Sequence, residues 1–270
     1  MFSYEEVKQY PSLLIAMTSL TQTEFKQLLS YFQKAWDWYV QGSYINRSDR
    51  QRQYGGGRDE STLVSIEDKL LFILYYLKAY PLQEIIAYEF GMRQGNANEW
   101  IHILTRVLKK ALDDGGHLPE RDPQKLEDVI NKSSEGEYAI DGTERRIQRP
   151  KDKEEQEQYY SGKKKTHTVK NIIIGGIIGR KVNYLSQTYE GKRHDKKIVD
   201  EEAPVLPKDI SLYKDTGFQG YEPKGVITFQ PQKKPRGKEL TPEQKEENSI
   251  ISRIRVVIEH IISGIKRCRI

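Results

Sequence analysis

Three carboxylates in this chain stand where their surroundings would let them do chemistry. Asp141 follows the apolar run Tyr138-Ala139-Ile140 and opens Asp141-Gly142-Thr143. Asp215 follows Ser211-Leu212-Tyr213 within Lys214-Asp215-Thr216-Gly217. Each is expected at the end of a short strand, before a turn with glycine, at the rim of a sheet where the backbone is rigid and solvent near. If the two strands are neighbours, the side chains converge, and two close carboxylates repel unless a cation lies between them. Magnesium or manganese, which take oxygen ligands, suit such a pair. Glu259, on a helix laid across the sheet, would be the third ligand. Three acids holding two divalent ions do phosphodiester chemistry: one ion activates water or a 3′-hydroxyl, the other stabilises the leaving oxygen. Taken singly, each aspartate also reads as an ordinary turn residue.

The elements that must position these acids are legible in the apolar pattern. From Ser249 to Ile270, Ile250, Ile251, Ile254, Val257, Ile258, Ile261, Ile262 and Ile265 follow the spacing of a helix with one buried face. Arg255, Glu259 and Lys266 form a polar stripe beside it. On the helix alone, Arg255 and Glu259 read as an ordinary surface ion pair. His260 points about 100° away from Glu259 and is not taken as a ligand. Further strands are expected at Val169–Ile178, Lys181–Tyr189 and Gly225–Phe229, with a helix over Lys192–Glu202, which makes residues 138–270 an α/β domain.

Upstream the pattern is helical. Residues 1–60 read as an N-terminal helical region followed by a Gly- and Arg-rich linker, and 119–137 as a second linker. Residues 61–118 hold a helix over Ile66–Ala79, a second from Pro81 ended by Gly91, and a third from about Asn96 to Leu112. A short helix, a tight turn and a longer helix make a helix-turn-helix. In it Gln94, Asn96, Asn98 and His102 would face base edges and Lys109 and Lys110 phosphates; plain packing of a small helical bundle is the competing reading. Net charge is +5, but Ser161–Asp200 alone carries ten Lys/Arg against three Asp/Glu. Such a patch suits a polyanion, or is simply a solvated basic face.

Taken together, AIDGTE, YYSGKKKTHTVKN, GKRHDKK, KDTGFQGY and RIRVVIEHIISGIKR resemble the DDE transposases of bacterial insertion sequences, related to the Harbinger group. The resemblance runs from about Thr62 to the last residue. It implies a ribonuclease-H-like mixed sheet with flanking helices, an all-α helix-turn-helix region before it, and metal-dependent cutting and joining of double-stranded DNA, with two Mg2+ or Mn2+ ions. Its three acids map to Asp141, Asp215 and Glu259. Its signature around the third acid maps to Arg255, Glu259 and Lys266, while Ser252 stands where that signature has Tyr. Arg255 and Lys266 would steady the scissile phosphate. Lys163, Lys164, Lys165, His167 and Lys170 would hold phosphates of the element's ends. Asp195, in His194-Asp195, is the runner-up for a metal ligand, or else a helix cap. Synapsis of two ends implies a dimer or higher assembly.

Other classes fit poorly. There is no GxxxxGK phosphate loop, and Gly175, Gly176 and Gly179 do not form GxGxxG. The single cysteine, Cys268, excludes a disulfide within the chain and a cysteine-built zinc site. No apolar run reaches a membrane span, and no secretion signal opens the chain, so an intracellular, cytoplasmic protein is expected. Two other readings remain: a non-catalytic DNA-binding regulator derived from a transposase, and a metal-dependent nuclease that cleaves without joining.

Overall fold

The computed structural model describes residues 2–46, 62–234, 237 and 239–268. The chain forms two compact units, Met1–Leu118 with Lys266–Ile270, and Pro119–Ile265. The expected linker falls largely on residues 47–61, outside the described residues.

The first unit is all helical: α1 (Tyr4–Val7), α2 (Pro11–Thr18), α3 (Gln22–Val40) with a π-helical turn at Gln41–Ile45, α4 (Ile66–Ala79), α5 (Gln83–Glu89) and α6 (Gln94–Asp114). Local sequence dictates the starts. Thr21 and Glu24 close a capping box on α3, and the Ser65 hydroxyl accepts from the Asp68 amide at the head of α4. Gly91, at φ 66°, turns the chain between α5 and α6. One core joins the N-terminal helices to the rest: Phe25, Phe32 and Trp36 of α3 pack with Leu70 and Phe72 of α4 and Leu104 and Val107 of α6. Within it Lys69 is only 5% exposed. Its ammonium donates to the carbonyls of Leu63 (2.6 Å), Val64 (2.9 Å) and Ser65 (3.3 Å) and lies over the rings of Trp36 and Trp100. It thereby satisfies the backbone that leads into α4 and fills an aromatic gap.

The second unit is a mixed sheet. Its elements are α7 (Leu126–Asn131), β1 (Glu137–Arg146), α8 (Lys153–Tyr159), β2 (Tyr160–Ser161), β3 (Thr166–Gly176), β4 (Val182–Leu185), β5 (Tyr189–Glu190), α9 (Asp195–Glu202), β6 (Ser211–Lys214), β7 (Ile227–Phe229) and α10 (Pro242–Ile265). β4 pairs antiparallel with β3, and β3 antiparallel with β1; β6 then adds parallel to β1, and β7 parallel to β6. Three antiparallel strands followed by two parallel ones make the ribonuclease-H-like sheet that was expected, and the helical region precedes it. β2 and β5 extend the sheet along the first half of β3.

Alternation splits the strands between two cores. Tyr138, Ile140, Ile172, Ile174 and Leu212 face α7 and α9, where Leu126, Ile130, Ile198 and Val199 cover them. Ala139, Ile173 and Tyr213 face α10, which buries Ile251, Ile258, Ile261 and Ile262 against them. Each such isoleucine contributes about 1.5–3 kcal/mol by leaving water. Gly175 lets α10 approach: a Cβ there would lie 3.0 Å from Ile261 Cδ1.

Several boundaries differ from expectation. α10 begins at Pro242, not Ser249, because Thr241 and Gln244 form a reciprocal capping box over a proline at the first helical position (3.2 and 3.0 Å). It ends at Ile265, so Lys266 lies in the turn that follows. β1 is ten residues long, which places Asp141 in mid-strand rather than at a strand end. The expected third strand is two short pieces, β4 and β5, and the expected helix at Lys192 starts at Asp195. Gly176 ends β3 and Gly179 lies in the β3–β4 turn. There the Glu135 carboxylate accepts from the Ile178 and Gly179 amides, and a Cβ on either glycine would collide with it.

Replacing Lys69 by alanine leaves three carbonyls without their donor. We expect about 2–3 kcal/mol of destabilisation, read as a lower midpoint in thermal or denaturant unfolding.

Candidate active site

The parallel pairing of β1 with β6 decides where the two aspartates stand. Its register runs from Glu137 opposite Ser211 to Ile140 opposite Lys214. Asp141 and Asp215 are the next residues on each strand, so they follow side by side, with strands roughly 4.8 Å apart. By alternation both share the face of Ala139 and Tyr213, the face that α10 covers. Beyond this point β1 continues, paired only with β3, while the chain after Asp215 turns through a 3-10 turn at Thr216–Phe218.

Each carboxylate is fixed through one oxygen. Asp141 Oδ1 accepts from the Gly142 amide at 2.8 Å, and Asp215 Oδ1 from the Thr216 amide at 2.6 Å. From α10, Arg255 reaches across, with its Nη1 3.6 Å from Asp215 Oδ1 and its side chain 13% exposed. Its Nε is buried with no hydrogen-bond partner. The sequence had offered Glu259 as the partner of Arg255; the described ion pair is with Asp215 instead.

Burial pushes the Asp141 carboxyl above the ordinary aspartate range. The Gly142 amide and the Arg255 guanidinium pull the other way, and the charges of Asp215 and Asp195 raise it again.

Asp195 comes from the opposite face of the sheet. It is the first residue of α9, whose cap is His194, and Asp195 makes no capping bond, so the helix-cap alternative fails. Its carboxylate fills the space beside Gly142: a Cβ there would lie 2.8 Å from Asp195 Oδ1, and one on Gly217 3.4 Å from Oδ2. Lys170 holds it, with Nζ 2.9 Å from Asp195 Oδ1 and 3.7 Å from Glu144 Oε1, while donating to the Arg193 carbonyl at 2.8 Å. The 2.9 Å approach is an ion pair without hydrogen-bond alignment, and Asp195 Oδ1 is left as a buried acceptor. Lys170 is itself only 7% exposed. It is placed between the carboxylates of Glu144 and Asp195, where the expectation had it on DNA phosphate.

The remaining expected residues scatter. Glu259 is exposed, one helical turn beyond Arg255, and Lys266 is exposed in the turn after α10. Among the described residues no three His, Cys, Asp or Glu side chains gather closely enough to share a metal ion. What is assembled is the Asp141–Asp215 pair with Asp195 and Arg255 around it. Lys163, Lys164 and Lys165 are exposed on the β2–β3 turn, and His167 is half-buried against Tyr160. On α6, Gln94, Asn96 and His102 are exposed and Asn98 half-buried. Gln94 and Asn98 both donate to Gln83 Oε1, at 2.6 and 3.2 Å, which ties the start of α6 to α5. Asn96, two residues from Gln94, is rotated about 200° off their line.

Sequence reasoning missed Lys214. It is 1% exposed and its ammonium bonds the Tyr221 carbonyl and Glu222, clamping the loop behind Asp215. An unexpected lysine next to a candidate aspartate, at a position that alternation makes inward-facing, was the available signal.

Comparison with known proteins gives the family. Residues 140–270 match the DDE superfamily endonuclease family, and residues 61–114 match the helix-turn-helix of DDE superfamily endonuclease. The chain belongs to the DDE superfamily. Its similarity to the probable transposase for insertion sequence element IS702 of Microchaete diplosiphon is 26% identity over 249 residues, 92% of this chain and 84% of that relative. No solved structure matches. Among the described residues, no helix of this superfamily member is long and apolar enough to cross a membrane.

The raised Asp141 carboxyl carries a stability consequence. A carboxyl raised in the folded state contributes stability below its unfolded value, and that contribution is lost as pH rises through the folded value. Asp141→Asn is therefore expected to match the wild type at low pH and to exceed it at neutral pH, by a few degrees in melting temperature. Melting curves across pH 3 to about 8 check this.

Proposed function

We propose that this DDE superfamily member is a transposase that binds the ends of its mobile element, cuts the strand there and joins the freed end to target DNA. The observation that supports it best is the placement of Asp141 and Asp215 one strand apart on the face under α10, with Arg255 against them. Two acids with second oxygens left for a ligand and a raised carboxyl between them form a site short of positive charge. Hard oxygen donors of this kind suit Mg2+ or Mn2+. Asp141 and Asp215 would hold such ions, with Glu259 as the third acid and Asp195 as the alternative; bound ions would supply activation of water or a 3′-hydroxyl and neutralisation of the leaving oxygen.

The chain's own groups have separate tasks. Arg255, with an unbonded Nε, is placed to receive a phosphate oxygen once DNA lies over the acids. The exposed lysines 163–165 would carry backbone charge toward the site, and α6 would present Gln94, Asn98 and His102 to the duplex, with Asn96 reaching it from another side of the helix. No side-chain nucleophile is required, so no covalent protein–DNA intermediate is expected. Action on paired ends calls for at least two copies.

The experiment is a supercoiled donor plasmid carrying the element's terminal repeats, incubated with the full chain and Mg2+. Cleavage and joined products are expected from the wild type. Asp141→Ala, Asp215→Ala and Glu259→Gln should each lower cleavage at least a hundredfold while binding to labelled end DNA persists. Full cleavage by any of the three removes that residue from the assignment. Cleavage without joining would identify a nuclease, and end binding indifferent to Mg2+ with no nicking a regulator.

A further inference from the structure

A second feature of the catalytic unit lies away from the acids. A cleft of about 610 Å³ opens between the loop before α8, the start of β3 and the loop after β5, with Arg149, Tyr160, His167 and Lys192 on its walls. One wall is aromatic. Tyr160 is 43% exposed, and its ring is buttressed by the His167 ring at 5.7 Å, nearly edge-on at 72°. The other wall is cationic and ordered. Gln156 accepts from Arg149 Nε at 3.0 Å and from its Nη2 at 2.7 Å, and is itself tethered to the Pro150 carbonyl at 2.8 Å. Lys192 is paired with Glu157 at 2.9 Å, both exposed, a pairing weak enough for a phosphate to displace. Gly162 lines the cleft without a side chain, and the exposed Lys163, Lys164 and Lys165 follow it in the chain.

An exposed ring beside fixed cations is the combination that holds unpaired nucleotides: the base stacks and the phosphate is neutralised. A duplex, with its bases stacked inside, reaches the lysine turn but cannot put a base into such a cleft. We infer that this cleft is a subsite for an unpaired DNA nucleotide, stacked on Tyr160 with its phosphate on Arg149 and Lys192. The subsite rests on the DNA-processing reading above and adds a location to it. His167 lies six residues along β3 from Ile173, the residue opposite Asp141. At about 3.3 Å per residue that is roughly 20 Å, or about six stacked nucleotides at 3.4 Å each. The unpaired nucleotide would thus lie well outside the scissile step, in the stretch that opens when an end is processed.

The test uses the full chain with a fluorescein-labelled eight-nucleotide oligothymidylate and a labelled duplex of the terminal repeat, by anisotropy. Tyr160→Ala is expected to weaken oligothymidylate binding about tenfold or more, the range for losing one stacked base, and to leave duplex binding within about twofold. Tyr160→Phe, which keeps the ring, should bind both as the wild type does. Arg149→Gln should reproduce the selective loss and serves in place of Tyr160→Ala if that variant does not fold. Tyr160→Ala binding the single strand like the wild type, or losing single strand and duplex in parallel, overturns the subsite. Absence of plasmid cleavage by the wild type would overturn the transposase reading while leaving the selective single-strand result standing.

Discussion

Two carboxylates that face the same side of one sheet, a strand apart, repel each other, and much of the second unit is arranged around that repulsion. The parallel register of β1 and β6 forces the meeting. Arg255 answers it from α10, and the amides of Gly142 and Thr216 each fix one oxygen. Asp195 would worsen it from the other face, but Lys170 sits against it and takes up its charge and that of Glu144. A protein that needed only stability would replace these acids. A half-buried carboxylate beside a second one, held by an arginine, is the kind of arrangement that binding sites keep.

How much was readable in the sequence follows from the range of the interactions involved. The Gly91 turn and the middle of the α10 stripe, Ile251 to Ile262, are set by residues within a turn of one another and emerged as expected, while Ile250 and Ile265 at the ends of that stripe are exposed. The split into two cores was not anticipated, because the apolar run Tyr138-Ala139-Ile140 shows no alternation in residue type and only the sheet puts Ala139 on one face and its neighbours on the other. Nor was the partner of Arg255, because a helix considered alone offers Glu259 one turn away, while Asp215 arrives only through the sheet. The carboxylate partners of Lys170 were hidden for the same reason: in sequence it belongs to a basic run, and only pairing with β1 sets it beside Glu144. The early start of α10 was legible in Thr241-Pro242-Glu243-Gln244, whose cap outweighs the polar character of the residues that follow it.

The helical unit shows a different economy. α6 is held at its beginning by side chains from α5 through Gln83, and along its length by the shared core with α3 and α4. The N-terminal helices are therefore part of the support of the turn-and-helix segment. Lys69 completes this support by holding the strand of chain that enters α4 in an aromatic surrounding, a task that an apolar residue of similar length would leave undone.

The place where β6 stops and β1 runs on has a consequence for how such chains can vary. Between Asp141 and Asp215 the chain finishes β1 and runs through α8, β2, β3, β4, β5 and α9, joined by turns whose lengths do not enter the pairing of β1 with β6. Insertions in those turns shift neither acid. Inside β1 or β6 the tolerance is nil: one added or lost residue ahead of either aspartate turns its side chain through the sheet to the α9 face. The spacing of the two acids along the chain is thus free to drift between relatives, whereas the four-residue runs Glu137–Ile140 and Ser211–Lys214 that precede them must keep step with each other.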